Sequence, residues 1–441
     1  MSLRTAWPLL VAAFLLLLPA LFNGYPLVYS DTGTYLTSGF QLGVPADRPI
    51  AYGLFCRIAS LNGRTLWGPI VVQALLTAVL LWSGWRNTVG DRRWGHFAVA
   101  VGVLSVCTGM GWYAGRLLPD AFTPLLVLAS IELLFKRSSW LWTLFLLAMI
   151  GFACATHFSH LLIAPGMVLF AWVLRAISGG RILRPDPRGT LLIGLALVLS
   201  VIGLRESNRM AGYPAQVSRG NAIFLVGRML DSGVLRPGLD RHCPEEEWTL
   251  CGRTLPARSR ELLWGSDSPI TVAGGWDEYS PEAEAITSTL LADTRTWTGL
   301  VGAGMRDGIA QLTQWGVGEI AFAWYRNPVS PPYLAVQQFV PHELDDYLAS
   351  RQNGGLRGEL ELRGVDRAYM IVLVLGLLGM ITLLFRGSVN PMERTLLLVL
   401  LLASAFAAMS CAALSMPDQR FLARVSWLVP WAVALVAMRR L

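Results

Sequence analysis

Apolar runs recur along the chain at close to the length of about 20 residues that an α-helix needs to cross a bilayer. They centre on 7–23, 67–85, 96–112, 121–135, 140–156, 161–177, 189–204, 368–385, 395–415 and 422–438, which predicts an all-α polytopic membrane protein of about ten transmembrane helices. The runs at 121–135, 140–156 and 189–204 are short, so each has to recruit a flanking turn or tilt. With Arg4 ahead of its apolar core, the first run has the layout of a signal peptide. No small-x-small cleavage site follows it, and it reads as a retained span.

Two polar stretches stand apart from these runs. The chain divides into an N-terminal membrane module, 1–204, an outer loop domain, 205–367, and a C-terminal membrane module, 368–441. In the first loop, 24–66, "PIAYGLFCRIASL" places Ile50, Leu54, Phe55, Ile58 and Leu61 on one helical stripe, as expected of a helix lying in the interface plane, apolar face down. "DTGTYLTSGF" before it predicts a second such helix, broken near Gly39. The long loop reads as short helices with irregular connections: "GNAIFLVGRMLDSG" stops at Gly233, and "SPEAEAITSTLLAD" carries a Ser-Pro-Glu start signal.

Composition agrees with a membrane protein: 54% of residues are hydrophobic and 15% charged, with a mean hydropathy of +0.49. Basic residues recur in alternate connections, at Arg4; Arg86, Arg92 and Arg93; Lys136 and Arg137; Arg181, Arg184 and Arg188; Arg386 and Arg394; Arg439 and Arg440. The positive-inside rule then places both termini in the cytoplasm and both polar stretches outside. Topology accounts for the net charge of +7, so no nucleic-acid partner is needed. A single Lys, Lys136, among 36 basic residues fits a GC-rich bacterial coding bias. Of six cysteines, Cys107, Cys154 and Cys411 fall in spans and Cys56 in the first loop, while Cys243 and Cys251 are close enough to pair on an oxidising face. Spacing alone leaves that disulfide open. No Cys/His motif for a metal is present in the sequence.

This topology gathers distant ionisable groups at one face. They are Asp31 in "YSDTGTYL", Arg48 in the first loop, Arg116 and Asp120 in "GRLLPDAF", His157 and His160 in "THFSH", and Asp418 and Arg420 in "PDQRF". Charge near a bilayer is costly unless paired or used. Plainer readings stand beside this one. Ser30 or Asp31 and Asp120 suit helix caps, the histidines suit interfacial hydrogen bonds, and Arg420 suits a pair with Asp418 or a lipid headgroup. Tyr52, like Tyr35, Trp112 and Tyr113, suits an aromatic belt as well as a sugar face.

An early acid before two juxtamembrane helices, a second acid on the next outer loop, a long loop after the seventh span and a late Arg-aromatic motif together resemble the GT-C superfamily of integral-membrane glycosyltransferases. The resemblance covers the topology of almost the whole chain. It implies Asp31 as the base that takes the acceptor proton, Asp120 as the second acid, and Arg420 in "DQRFLARVSWLVP" as a ligand of the donor phosphate, with Phe421 where the family usually has Tyr. One departure is that Asp31 is followed by Thr32, where many relatives have adjacent acids; this leaves the subfamily and any divalent-metal use open.

The expected activity is transfer of a sugar from a polyprenyl-phosphate donor to a glycan, lipid or protein acceptor at the outer face of a bacterial inner membrane, without a cofactor. Such transfer needs a carboxylate to activate the acceptor hydroxyl and cations to stabilise the departing phosphate. Arg420, Arg48 and Arg116 suit the phosphate, and His157, His160, Tyr52 and Asp418 complete the expected substrate contacts. A lipid-linked glycan flippase would instead need ionisable residues deep in its spans, and the clearest charge inside a span, Glu132, lies near the cytoplasmic end. A noncatalytic envelope assembly protein would tolerate loss of the outer acids.

Overall fold

The computed structural model describes residues 3–385 and 389–441, and among them the chain is helical, with no strand. Arg386, one of the basic residues used for orientation, lies outside the described residues. The N-terminal module comprises α1 (Leu3–Asn23), α2 (Ser30–Gln41), α3 (Ala51–Ala59), α4 (Trp67–Thr88), α5 (Trp94–Cys107), α6 (Gly109–Ala114), α7 (Phe122–Phe135), α8 (Trp140–Thr156), α9 (His160–Ile177) and α10 (Pro187–Met210). The region between α10 and the next long helix contains α11 (Asn221–Asp231), α12 (Leu235–His242), α13 (Ser259–Trp264), α14 (Pro269–Val272), α15 (Trp276–Leu291), α16 (Thr294–Gln311), α17 (Pro331–Phe339) and α18 (Leu344–Ala349). The chain ends with α19 (Arg363–Phe385), α20 (Pro391–Leu414), α21 (Gln419–Ala423) and α22 (Leu428–Arg440).

Every predicted apolar run folds mainly as helix, with breaks inside those at 96–112 and 422–438, and 7 segments among the described residues are long and apolar enough to cross a membrane. These are Ala6–Asn23, α4, α9, α10, α19, α20 and the combined stretch Gln419–Arg440. The run predicted at 96–112 is interrupted: Thr108 is extended and its hydroxyl accepts from the Met110 N–H, ending α5 and capping α6. α7 has 14 residues, about 21 Å at 1.5 Å per residue, against a hydrocarbon core of about 30 Å. It tolerates that length because it sits inside the bundle, with all its residues but Phe135 buried. The opposite case is α19, whose Ile371, Val374, Leu375, Leu378 and Ile381 are exposed, as are Leu191, Leu195, Val198 and Ile202 of α10. Apolar bands of that extent are the surface that lipid covers.

The first loop folds as two helices, as its pattern predicts, with two corrections. α2 continues past Gly39 and closes at Leu42 in the left-handed conformation. Gly39 serves close packing instead: a Cβ there would lie 2.0 Å from the Gly53 carbonyl of α3. α3 stops at Ala59, and Leu61 and Asn62 form a turn at positive φ, so Leu61 is off the helix. The face of α3 turned inward is Tyr52, Gly53 and Cys56, while Ile58 of the apolar stripe remains exposed.

The region between α10 and α19 is not uniform. Ile223, Val226, Met229, Leu262, Ile286 and Leu290 build a core of their own, beside which Cys243 and Cys251 are disulfide-bonded. Tyr325, Ala335, Val336, Val340 and Tyr347 belong instead to the main core. α10 runs on to Met210 and α19 begins at Arg363, so both flanking helices reach beyond the run boundaries at 204 and 368. A buried guanidinium fastens the separate core to α16 and α20: Arg228 Nη1 donates to Asp307 Oδ2 of α16 and to the Ser415 carbonyl at the end of α20, both at 2.7 Å.

Candidate functional site

The site starts from how the chain leaves α1. The Leu27 N–H donates to the Gly115 carbonyl at 3.0 Å and the Leu117 N–H to the Leu27 carbonyl at 2.8 Å, an isolated parallel bridge between the connection after α1 and the one after α6. Buried Gln352 closes the other side, accepting from the Val28 N–H at 2.9 Å and donating to the Val28 and Ile320 carbonyls at 2.8 Å. Thr32 then accepts from the Tyr29 N–H at 2.9 Å, starting α2, and donates to the Leu117 carbonyl at 2.9 Å. Buried backbone groups need partners. Meeting that need here pins the first turn of α2 above the loop that carries Asp120.

Asp31 lies in this first turn, where a negative charge is favoured by the helix N-terminus. Its carboxylate does not cap the helix. Oδ1 accepts from Arg48 Nη2 at 2.8 Å and Oδ2 from Arg420 Nη1 at 3.1 Å, and the Ser30 hydroxyl donates to Oδ1 at 3.2 Å. Burial pushes the Asp31 carboxyl up, but the Arg48 and Arg420 guanidiniums outweigh it and hold the group below its usual range. The side chains of Asp31, Arg48 and Arg420 keep 11%, 16% and 17% of their surface accessible, so this ion cluster is reachable from the protein surface. Tyr29 packs beneath it, with the guanidinium carbons of Arg116 and Arg420 4.6 Å and 5.0 Å from its ring centre.

The second acid has a different partner. Asp120, in the 3-10 turn Pro119–Ala121, accepts from Arg424 Nη1 at 2.6 Å, and neither side chain is appreciably exposed. Burial again acts to raise the Asp120 carboxyl, and Arg424, then Arg420, hold it well below the ordinary range. Arg420 and Arg424 are four residues apart, on one face of the α21 turn, with Phe421 within 5.1 Å and 5.3 Å of the two guanidiniums. Each acid thus has its own arginine, while Asp120 acts on the Asp31 charge and Arg420 on that of Asp120. The two pairs share one field.

The remaining predicted site residues separate into two groups. His157 is half-buried at the end of α8. Its Nδ1 accepts from the Ser159 N–H at 3.2 Å, which leaves the ring proton on Nε2. Burial, then the neighbouring His160 and Arg424, lower its pKa well below the usual value, so the ring is neutral. Arg116 is fully buried and pairs with Glu319 at 2.7 Å, a carboxylate that also accepts from the Tyr113 hydroxyl at 2.9 Å. His160 is fully buried with both nitrogens used, Nδ1 donating to the Ala153 carbonyl at 2.6 Å and Nε2 meeting the Thr123 hydroxyl at 2.8 Å. Tyr52 is likewise buried, donating to Gln73 Oε1 at 2.6 Å, and Gln73 Nε2 donates to the Ala114 and Arg116 carbonyls. These contacts make His160 and Tyr52 internal props of the site. Asp418 caps α21 through the Arg420 N–H at 3.1 Å and bonds through its backbone to Gln311, so the Arg420 side chain is free to reach Asp31.

Arg424, Glu319, Tyr29 and Gln352 belong to the site and escaped sequence reasoning. Only Arg424 left a signal, an arginine within the apolar run at 422–438 and one turn after Arg420. A cavity of about 560 Å³ lies beside α17, lined by Trp324, Arg326, Asn327, Pro328, Tyr333 and Leu348, none of them a predicted site residue. α17 itself packs on α2 at Gly33, where a Cβ would lie 2.3 Å from Pro331. Among the described residues no group of three His, Cys, Asp or Glu side chains is placed to share a metal ion. Fold and site define a polytopic helical membrane protein with a paired acid–arginine cluster at one end of its bundle. No protein-family model, curated protein or solved structure matches the chain.

Proposed function

We propose that the chain is a GT-C-like membrane glycosyltransferase of about ten spans, moving a sugar from a polyprenyl-phosphate donor to a lipid-linked or periplasmic acceptor at the outer face of a bacterial inner membrane. The observation that carries this reading is the convergence of Asp31 with Arg48 and Arg420, from the first and last outer loops. The disulfide at Cys243–Cys251 supports an oxidising environment for the outer region, and the alternation of basic connections supports cytoplasmic termini.

The geometry suits a donor-triggered base. The Arg48 and Arg420 guanidiniums rest on Asp31 and depress its basicity. A donor phosphate draws Arg420 and Arg48 to itself through paired hydrogen bonds, which frees Asp31 and raises its proton affinity. Asp31 then accepts the proton of the acceptor hydroxyl as that oxygen bonds to the anomeric carbon. The carbon–oxygen bond to phosphate breaks, and the polyprenyl phosphate leaves with its charge held by the arginines. Neutral His157 supplies an N–H donor beside Asp120. Full-length protein in lipid nanodiscs, given a labelled polyprenyl-phosphate sugar and a membrane extract as acceptor source, should release polyprenyl phosphate; absence of turnover across donor sugars rejects the reading.

A further inference from the structure

At the other end of α1 from Asp31, a cavity of about 490 Å³ opens between Leu9, the last turns of α4 and the connection from α7 to α8. We propose that it binds the phosphate headgroup of an anionic phospholipid, at the membrane face opposite the Asp31 cluster.

Three cations rim the cavity, Arg86, Lys136 and Arg137, with Ser83, Asn87, Ser138 and Ser139 as hydroxyl and amide donors. Among the described residues neither Arg86 nor Lys136 has a carboxylate partner, and Arg137 reaches Asp186 only at 4.0 Å with its side chain 94% exposed. The N-terminus of α8 begins at Trp140, so its partial positive charge adds to theirs. One nearby acid, Glu132, does not line the cavity and accepts from the Trp142 indole N–H at 2.7 Å.

Topology alone explains why cations gather at this face. It does not explain a cavity whose wall includes Trp82, 5% exposed, with an indole N–H lacking any partner, or the unpartnered hydroxyl of Ser138. Buried donors without acceptors are costly, and a phosphate oxygen supplies what both lack. The source of that phosphate follows from the floor. Leu9 and Val79 are apolar, and exposed Leu10 and Phe14 continue along α1 into the lipid-facing band. A soluble phosphate makes no use of such a path, whereas an acyl chain does. Basic pockets between spans are suited to anionic headgroups for the same reason.

Native mass spectrometry of the detergent-purified full chain tests this with phosphatidylglycerol and phosphatidylcholine. Phosphatidylglycerol should be retained about tenfold more tightly, and the preference should vanish in Arg86→Gln/Lys136→Gln/Arg137→Gln. An equal charge change elsewhere in the same set of basic connections, Arg181→Gln/Arg184→Gln/Arg188→Gln, should leave the preference intact. Trp82→Phe keeps an aromatic side chain and removes the donor; it should lower the preference about threefold and serves if the triple variant does not fold. Equal retention of the two lipids, or equal loss in both triple variants, overturns the site. Displacement of phosphatidylglycerol by millimolar inorganic phosphate assigns the cavity to a soluble anion and overturns the lipid. None of these readings depends on transferase activity.

Discussion

Asp31 Oδ2 and Arg420 Nη1 meet at 3.1 Å although 389 positions separate them along the chain. The contact joins the first turn of α2 to α21, and it sets the acid and the cation that the proposed reaction needs against each other. Asp31→Asn keeps the side-chain shape and a hydrogen-bond acceptor, and Arg48 retains Asp47 at 3.4 Å, so the variant should fold. Its sugar transfer should drop by a factor on the order of 10²–10⁴, the usual worth of a general base. Undiminished transfer in a protein with unchanged thermal unfolding would remove Asp31 from the base role.

Arg420→Ala tests the cation. Donor KM should rise, and because one of the two guanidiniums that depress Asp31 is gone, the acid limb of kcat/KM against pH should move upward. A purely structural role would lower activity equally at all pH values. An unmoved limb with unchanged donor response would exclude Arg420 from the site.

The Asp120–Arg424 pair should behave as a buried ion pair. Arg424→Ala leaves buried Asp120 without its ion-pair partner and should cost about 3–5 kcal/mol. Combining Arg424→Met with Asp120→Leu should recover most of that loss, since an apolar pair needs no counter-charge. Denaturation of the three proteins in one detergent gives the comparison, and failure of the double variant to recover would show that the carboxylate has other essential partners.

His157 carries a stability signature in pH. Its folded pKa is lowered, so the unfolded chain binds the proton first; the contribution is complete above the unfolded value of about 6.5 and is lost as pH falls through the lowered folded value. Asp31 and Asp120 follow the same sign, but their window lies below the ordinary carboxylate value of about 3.9. Thermal stability should therefore weaken from pH 6.5 downward, and His157→Gln should make that slope shallower while leaving the steeper acid loss. An unchanged slope between pH 5 and 6.5 would mean that His157 is protonated in the folded protein.

Much of the architecture was legible as one-dimensional pattern. A helix that meets lipid must be apolar for its length, and an interfacial helix must carry a stripe, so the apolar runs and the two helices of the first loop could be read directly. What misled was local: Thr108 breaks a continuous apolar run because its hydroxyl caps the next helix, and Gly39 in α2 packs against α3 instead of ending the helix.

The sequence by itself determined that this is a helical membrane protein, and where its scarce polar groups lie along the chain, because both follow from hydrophobicity and spacing. Only the tertiary structure decided who pairs with whom: that Arg420 answers Asp31 and leaves Asp418 to cap α21, that Asp120 belongs to Arg424, and that His160 and Tyr52 are spent inside the bundle. Ion pairs and hydrogen bonds are settled by distances of a few ångströms between elements far apart in sequence, and no periodicity along a chain encodes them.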